Sequence, residues 1–350
     1  MLARNALFCS SCIAVVTAAT FVTAPAVAVD RDPGSFVWIY SDTGFSSSGS
    51  ALGLSRGLAW PVIFGENTTI ALQPTSGNGQ GFSYWNEIGP GVGSDPKATS
   101  TIDGRVAGAG FESAFVLSPT GSITFLPENT NSVDFSNGGA LVYSNSNDPF
   151  NRVTGFAYSS TSLVEDVAIS PFGDAGALTS GGEFYSTLTG GFEDFDLNTA
   201  LPYTGNGELT FDAQGRPHII DRQARVFSFD TTSGEWVLTV LGSTVSGPTS
   251  TIAADTTGTV GAAFVNSSND LIYAYWTNSA GWQSVVVDTD VEFQEVGLAF
   301  DYDNLPVISY AKQGNLWLAY DPIVEVPEPA SLSLLAGLGL VLAGRRRRRV

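Results

Sequence analysis

Ser250-Thr251-Ile252-Ala253-Ala254-Asp255-Thr256-Thr257-Gly258-Thr259-Val260-Gly261-Ala262-Ala263-Phe264 is an apolar run, an Asp-x-x-Gly step and a second apolar run. Asp accepts hydrogen bonds from backbone groups two residues on, and Gly takes the positive φ that a tight hairpin needs. The stretch therefore predicts two antiparallel strands joined by a short turn. Asn266-Ser267-Ser268-Asn269-Asp270 marks the next turn and Thr277–Gly281 the one after. Four strands result: Thr251–Ala254, Thr259–Val265, Leu271–Trp276 and Trp282–Val287.

The same form returns on both sides. Val296-Gly297-Leu298-Ala299-Phe300-Asp301-Tyr302-Asp303-Asn304-Leu305-Pro306-Val307 follows it, and Glu208-Leu209-Thr210-Phe211-Asp212-Ala213-Gln214-Gly215-Arg216-Pro217-His218-Ile219 precedes it. Asp212 to Asp255 is 43 residues and Asp255 to Asp301 is 46, with Ser170 and Gly173 in the equivalent places 42 residues before Asp212. Fainter markers stand at Ser100–Ala109, Val133–Tyr143 and Leu54–Ala59. A four-stranded unit repeating every 40–45 residues or so is the pattern of a propeller blade. The body thus resembles a β-propeller repeat protein, and the expected fold is all-β with about seven blades, six being the alternative count and a β-sandwich the runner-up architecture. The last unit lacks a fourth strand, while Phe36-Val37-Trp38-Ile39-Tyr40 lies outside the first unit. That segment is expected to complete the last blade and remove its exposed edge.

The two ends read differently from the body. Arg4 and an apolar run from Ala6 to about Val22 lead to Ala26-Val27-Ala28, with small residues at Ala26 and Ala28 where a signal peptidase reads. Residues 1–28 are the expected signal peptide. Both cysteines, Cys9 and Cys12, fall inside it, so the mature chain is expected to hold no disulfide and no thiolate chemistry. At the other end Val326-Pro327-Glu328-Pro329 precedes the apolar run Ala330–Gly344, then Arg345, Arg346, Arg347, Arg348 and Arg349. As a helix that run spans roughly 22 Å, short of the roughly 30 Å hydrocarbon core, with arginines able to snorkel and stop transfer. The positive-inside rule keeps the arginines cytoplasmic and the body outside.

These three parts in this order, within residues 323–350, resemble the PEP-CTERM sorting signal. The resemblance implies recognition by an exosortase-type processing enzyme, cleavage near Pro327-Glu328-Pro329, and transient anchoring by the C-terminal helix before release to the envelope or the extracellular space. It carries nothing about what the body binds. The body, 29–322, keeps 9 of the 15 basic and 32 of the 34 acidic residues, a net charge of −23. Such a surface repels nucleic acid and anionic membranes, and leaves extracellular polysaccharide or protein as partners.

Candidate chemistry in the body is sparse. His218 is the one histidine, with no second histidine or cysteine to share a metal, and reads as a core-edge residue. Glu193-Asp194-Phe195-Asp196 and Asp301-Tyr302-Asp303-Asn304 are the densest acidic groups. A secreted glycan-active hydrolase or lyase would need such carboxylates from different blades to meet in one cleft. Asp301 and Asp303 offer oxygens to Ca²⁺ but lack the rest of an EF-hand loop, and read as turn residues; no cofactor is expected. Arg216, Arg222 and Arg225 are the one basic group. Asp230–Trp236 has the form of a hairpin turn before an outer strand, as does Asn278–Trp282. Trp85, Trp236, Trp276 and Trp282 recur at equivalent places, and are expected to pack between blades unless exposed for stacking on sugars. The balance favours a non-enzymatic binding or structural protein of the envelope or matrix.

Overall fold

The computed structural model describes residues 37–41, 50–55, 60–65, 67–74 and most of 82–320. Within that last span 94–95, 102–103, 111, 136–138, 146–151, 154–155, 158–161, 189–192, 195–196, 198–202, 206, 243–249, 256, 278–279, 295 and 302–303 lie outside the description, as do both ends. Strand β1 (Val37–Ser41) comes first. Blade 1 holds β2 (Ser50–Ser55), β3 (Trp60–Gly65), β4 (Thr68–Pro74) and β5 (Phe82–Pro90). Blade 2 holds β6 (Lys97–Ser100), β7 (Val106–Ala109), β8 (Ala114–Leu117) and β9 (Ile123–Phe125). Blade 3 holds β10 (Val133–Phe135), β11 (Leu141–Asn145), β12 (Arg152–Val153) and β13 (Phe156–Ala157). Blade 4 holds β14 (Val164–Ile169), β15 (Ala175–Thr179), β16 (Phe184–Ser186) and β17 (Glu193–Asp194). Blade 5 holds β18 (Glu208–Phe211), β19 (Pro217–Ile220), β20 (Arg225–Asp230) and β21 (Glu235–Val240). Blade 6 holds β22 (Ser250–Ala254), β23 (Val260–Val265), β24 (Leu271–Thr277) and β25 (Gly281–Asp288). Blade 7 holds β26 (Gly297–Phe300), β27 (Pro306–Lys312) and β28 (Asn315–Tyr320).

Among the described residues these strands make seven four-stranded antiparallel sheets, six of them built from consecutive strands. The seventh has the order β1-β28-β27-β26, so the N-terminal strand closes the last blade as its outer strand, with Val37 opposite Tyr320 and Ser41 opposite Leu316. No sheet curls onto itself. Instead β2, β6, β10, β14, β18, β22 and β26 stand side by side in that order, and β26 returns to β2. These seven inner strands surround the axis of a β-propeller. The four strands expected in blade 6 are all present, each end within one residue of its expected place.

The hairpin turns explain the repeat. Asp212 Oδ1 accepts from the backbone N–H groups of Gln214 and Arg216, each at 2.9 Å, while Gly215 takes φ +74°. Asp255 and Gly258 do the same in blade 6, and in blade 7 Asn304 has φ +61° as Asp301 Oδ1 accepts from Leu305 N–H. Ser170 replaces the Asp in blade 4, its hydroxyl accepting from Phe172 and Asp174 N–H. Asp221, Asn266 and Thr179 cap the second hairpins of blades 5, 6 and 4 in the same way. One short polar side chain at the start of a turn and one residue with positive φ three places later suffice.

The core lies in the seams between blades. Val62 and Phe64 of blade 1 pack on Val106 and Phe115 of blade 2, Leu178 and Phe184 of blade 4 on Phe211 and Phe227 of blade 5, and Leu271 and Tyr273 of blade 6 on Ile308 and Tyr310 of blade 7. Ile63 and Ile70 of blade 1 meet Leu316 and Leu318 of blade 7, which seals the ring. Second strands are buried on both faces, as in β23, so they read as continuous apolar runs without alternation.

Candidate functional site

Acidic side chains on the innermost strands of three consecutive blades each reach the inner strand of the next blade, and they are not the dense groups the sequence singled out. An innermost strand has a sheet partner on one side only, which leaves a row of N–H and C=O groups on its other edge. Asp134 of β10 reaches that edge of β14: its Oδ2 accepts from Ile169 N–H at 2.8 Å. Asp166 of β14 does the same to β18, accepting from Leu209 N–H at 2.7 Å. Glu208 of β18 does it to β22, accepting from Ile252 N–H at 3.2 Å. The other oxygens are engaged too. Asp134 Oδ1 takes Thr99 Oγ1 (2.6 Å) and its neighbour Phe135 N–H (2.8 Å), and Asp166 Oδ1 takes Ser132 Oγ (2.6 Å) and Val167 N–H (2.9 Å). Glu208 Oε1 pairs with Lys97 Nζ at 3.3 Å. Lys97 belongs to blade 2 and Glu208 to blade 5, so this ion pair spans the axis.

Burial governs the titration of this ladder. It pushes Asp166 up to about 7, opposed by the Lys97 charge and reinforced by the Glu208 carboxylate. It pushes Asp134 up to about 6, against the hydrogen bonds from Thr99, Ile169 and Phe135. Each carboxylate is a staple between consecutive blades, with its lone pairs committed to backbone or to Ser, Thr and Lys.

His218 lies on β19, buried, with Nδ1 2.8 Å from Ser228 Oγ on β20 and Nε2 3.2 Å from Asp212 Oδ2. Ser, His and Asp thus stand in line, yet the Asp caps a turn and also receives Arg216 Nε at 2.7 Å. Burial alone would raise the Asp212 pKa, but the hydrogen bonds from His218 and from Arg216 outweigh it and hold it at about 2. Arg225 pairs with Asp221, so Arg216 and Arg225 serve two separate turns and do not combine into one anion clamp. Asp301 caps its turn as expected, while Asp303 and Asp196, and the side chains of Glu193 and Asp194, lie outside the described residues. So do Ala26, Ala28, Val326, Pro327, Glu328, Pro329 and Arg345 to Arg349, along with the Trp85 side chain. Among the described residues no three His, Cys, Asp or Glu side chains are grouped to hold a metal ion.

The tryptophans divide. Trp236 packs edge-on against Phe184 in the seam between blades 4 and 5. Trp276, expected to be packed between blades, is instead 43% exposed. It stands opposite Trp282 across β24 and β25, with ring centroids 6.0 Å apart and planes at 76°. Both border a shallow groove of about 340 Å³. One wall is Thr239–Leu241 from the end of blade 5; the other is Ala274, Trp276 and Trp282–Ser284 of blade 6. The inner part of this seam is filled by Ile220, Val226, Ile252 and Ala262. Ala274 is fully buried against this packing, with Leu241 and Trp282 beside it, and Trp276 lies exposed on the rim of the groove.

Residues 325–349 match the model of the PEP-CTERM protein-sorting motif. No curated protein sequence matches the chain. Among solved structures, selenomethionine-substituted virginiamycin B lyase from Staphylococcus aureus aligns at TM-score 0.56 and 12% identity over 82% of this chain and 99% of that one. A catalytically inactive form of that lyase with quinupristin aligns at TM-score 0.59 and 12% identity, over 83% and 100%. YCF48 bound to D1 peptide aligns at TM-score 0.54 and 16% identity, over 85% and 98%. At these identities the likeness is one of fold. The chain is an exported protein with a β-propeller body and a C-terminal PEP-CTERM sorting motif.

Proposed function

We propose that this protein is a non-enzymatic binding or structural propeller of the cell envelope or extracellular matrix. In this reading residues 1–28 are removed after Ala28, an exosortase-type enzyme cuts near Pro327-Glu328-Pro329, and 29–322 is the working body. The observation that carries it is the axial ladder. A two-carboxylate hydrolase needs one acid and one base or nucleophile facing a common substrate, whereas both oxygens of Asp134, of Asp166 and of Glu208 are engaged within the ring. His218 is likewise held between two partners. The strong negative charge of the body favours neutral or cationic ligands.

Two measurements test this. Intact-mass analysis of the protein released by an exosortase-bearing host should give an N-terminus at Val29 and a C-terminus near Pro327, and replacing Pro327-Glu328-Pro329 with alanines should retain the full tail. A fluorophosphonate probe should leave Ser228 unlabelled. Labelling of Ser228 that disappears in the His218→Ala variant would replace the binding reading with a hydrolytic one.

A further inference from the structure

The groove between blades 5 and 6 has a definite chemistry. Trp276 and Trp282 present two nearly perpendicular indoles, and Thr239 and Ser284 supply neutral hydroxyls beside them. Among the described residues no ionisable side chain lines the groove, in a body carrying 32 carboxylates. Val237 of β21 shares its face with Thr239 and Leu241, and Val286 of β25 shares its face with Trp282 and Ser284; with Trp276 both are exposed, so large apolar side chains border this seam from both blades.

The indole platform is also held in place. The hairpin after Trp276 is closed by Thr277 Oγ1, which donates to Gly281 O at 3.1 Å and accepts from Ala280 N–H at 3.1 Å. Gly281, at φ +73°, brings the turn against the Trp276 ring. Gln283 Nε2 donates to the carbonyls of Ala280 and Trp282, which ties the start of β25 to the turn. A flat aromatic face, ordered in advance and flanked by neutral donors and acceptors, matches a pyranose ring: its axial C–H face is apolar and its rim is hydroxyl. An anionic sugar would meet the field of the body's carboxylates without a cation in the groove to offset it.

From this we propose that the groove between blades 5 and 6 binds neutral hexose residues of a polysaccharide, with Trp276 as the stacking platform. The proposal rests on the reading of the body as a binding module and names its site and ligand class. The test uses the full chain in mild detergent. It is titrated with cellohexaose, laminarihexaose and maltohexaose, and with an alginate hexamer as the anionic counterpart. Tryptophan fluorescence reports binding and mass spectrometry reports the length of each oligosaccharide. The expected result is saturable binding of at least one neutral hexaose with a fluorescence change, and none of alginate. Trp276→Ala should bind at least ten-fold more weakly with an unchanged circular dichroism spectrum, and Trp276→Tyr should recover part of the loss.

Equal binding by wild type and Trp276→Ala would overturn the site while leaving the binding reading intact. Failure of all three neutral hexaoses, or preference for alginate, would overturn the ligand class. Shortened oligosaccharide products would instead sink the non-enzymatic reading.

Discussion

Asp166 is the residue on which the axis turns. Its carboxyl joins blade 3, through Ser132, to blade 5, through Leu209 N–H, and it feels the Lys97–Glu208 pair that crosses between blades 2 and 5. Because burial raises its pKa in the folded chain to about 7, the native state holds a proton that the unfolded chain releases near pH 4. The sign follows from linkage: the contribution of this group to stability is fully present below pH 4 and falls away as pH rises towards 7. Replacing Lys97 by Met removes the charge that pulls the pKa down, so Asp166 should titrate higher still. Infrared spectroscopy would read this as a protonated-carboxyl band persisting above pH 7 in Lys97→Met, and an unshifted band would refute the coupling. Asp212 behaves in the opposite sense. Its pKa is held at about 2, so its contribution is present above pH 4 and lost as pH falls towards 2. The turn role of Asp212 was legible in the Asp-x-x-Gly spacing. The inter-blade role of Asp134 and Glu208 was not, although both stood inside the repeat markers. Nothing in a single strand's sequence says that its acidic side chain will reach the free edge of the next sheet.

At the scale of elements, second strands carry glycine where a neighbouring blade's ring comes close. A Cβ on Gly108 of β7 would sit 2.0 Å from the Phe64 ring of blade 1, and one on Gly261 of β23 would sit 2.8 Å from Phe300 of blade 7. Gly108→Ala should therefore destabilise the protein by about 1–3 kcal/mol through overpacking, measurable in urea unfolding, with Phe64→Leu expected to restore part of it. A stability equal to wild type would mean the seam is looser than its geometry. The closing strand makes a second prediction at this scale. β1 pairs with β28 along its whole length, and without it β28 becomes an open edge. Removing residues 29–41 from a chain that begins at Val29 should lower the melting temperature by about 10 °C or more and promote association. An unchanged melting temperature would show that blade 7 does not need its fourth strand. This closure was legible from a count of strands, since one unit was a strand short and one strand had no unit. The exposure of Trp276 was not, because the recurrence of Trp around the last hairpin of a blade is the same whether the seam beside it is full or open.

For the whole molecule, seven seams share the core, and 32 acidic residues against 9 basic ones in the body set a repulsive field around it. Raising ionic strength from 10 mM to 150 mM should raise the melting temperature by screening that field. EDTA should leave it unchanged, because the turns are capped by their own Asp, Asn, Ser and Thr side chains. A fall of several degrees with EDTA, reversed by Ca²⁺, would mean a cation helps hold the ring. The sequence by itself determined the strand pattern, the repeat length, the capped turns and the sorting tail. The turns, strands and tail are local, each depending on residues a few places apart and the backbone chemistry they share, and the repeat length is the spacing at which one such local pattern recurs. Only the tertiary structure decided that Asp134, Asp166 and Glu208 each reach the inner strand of the next blade, that Lys97 of blade 2 pairs with Glu208 of blade 5, and that a groove stays open beside Trp276. Those outcomes depend on how blades dozens of residues apart are rotated about a common axis, and on whether side chains from two blades together fill the space between them.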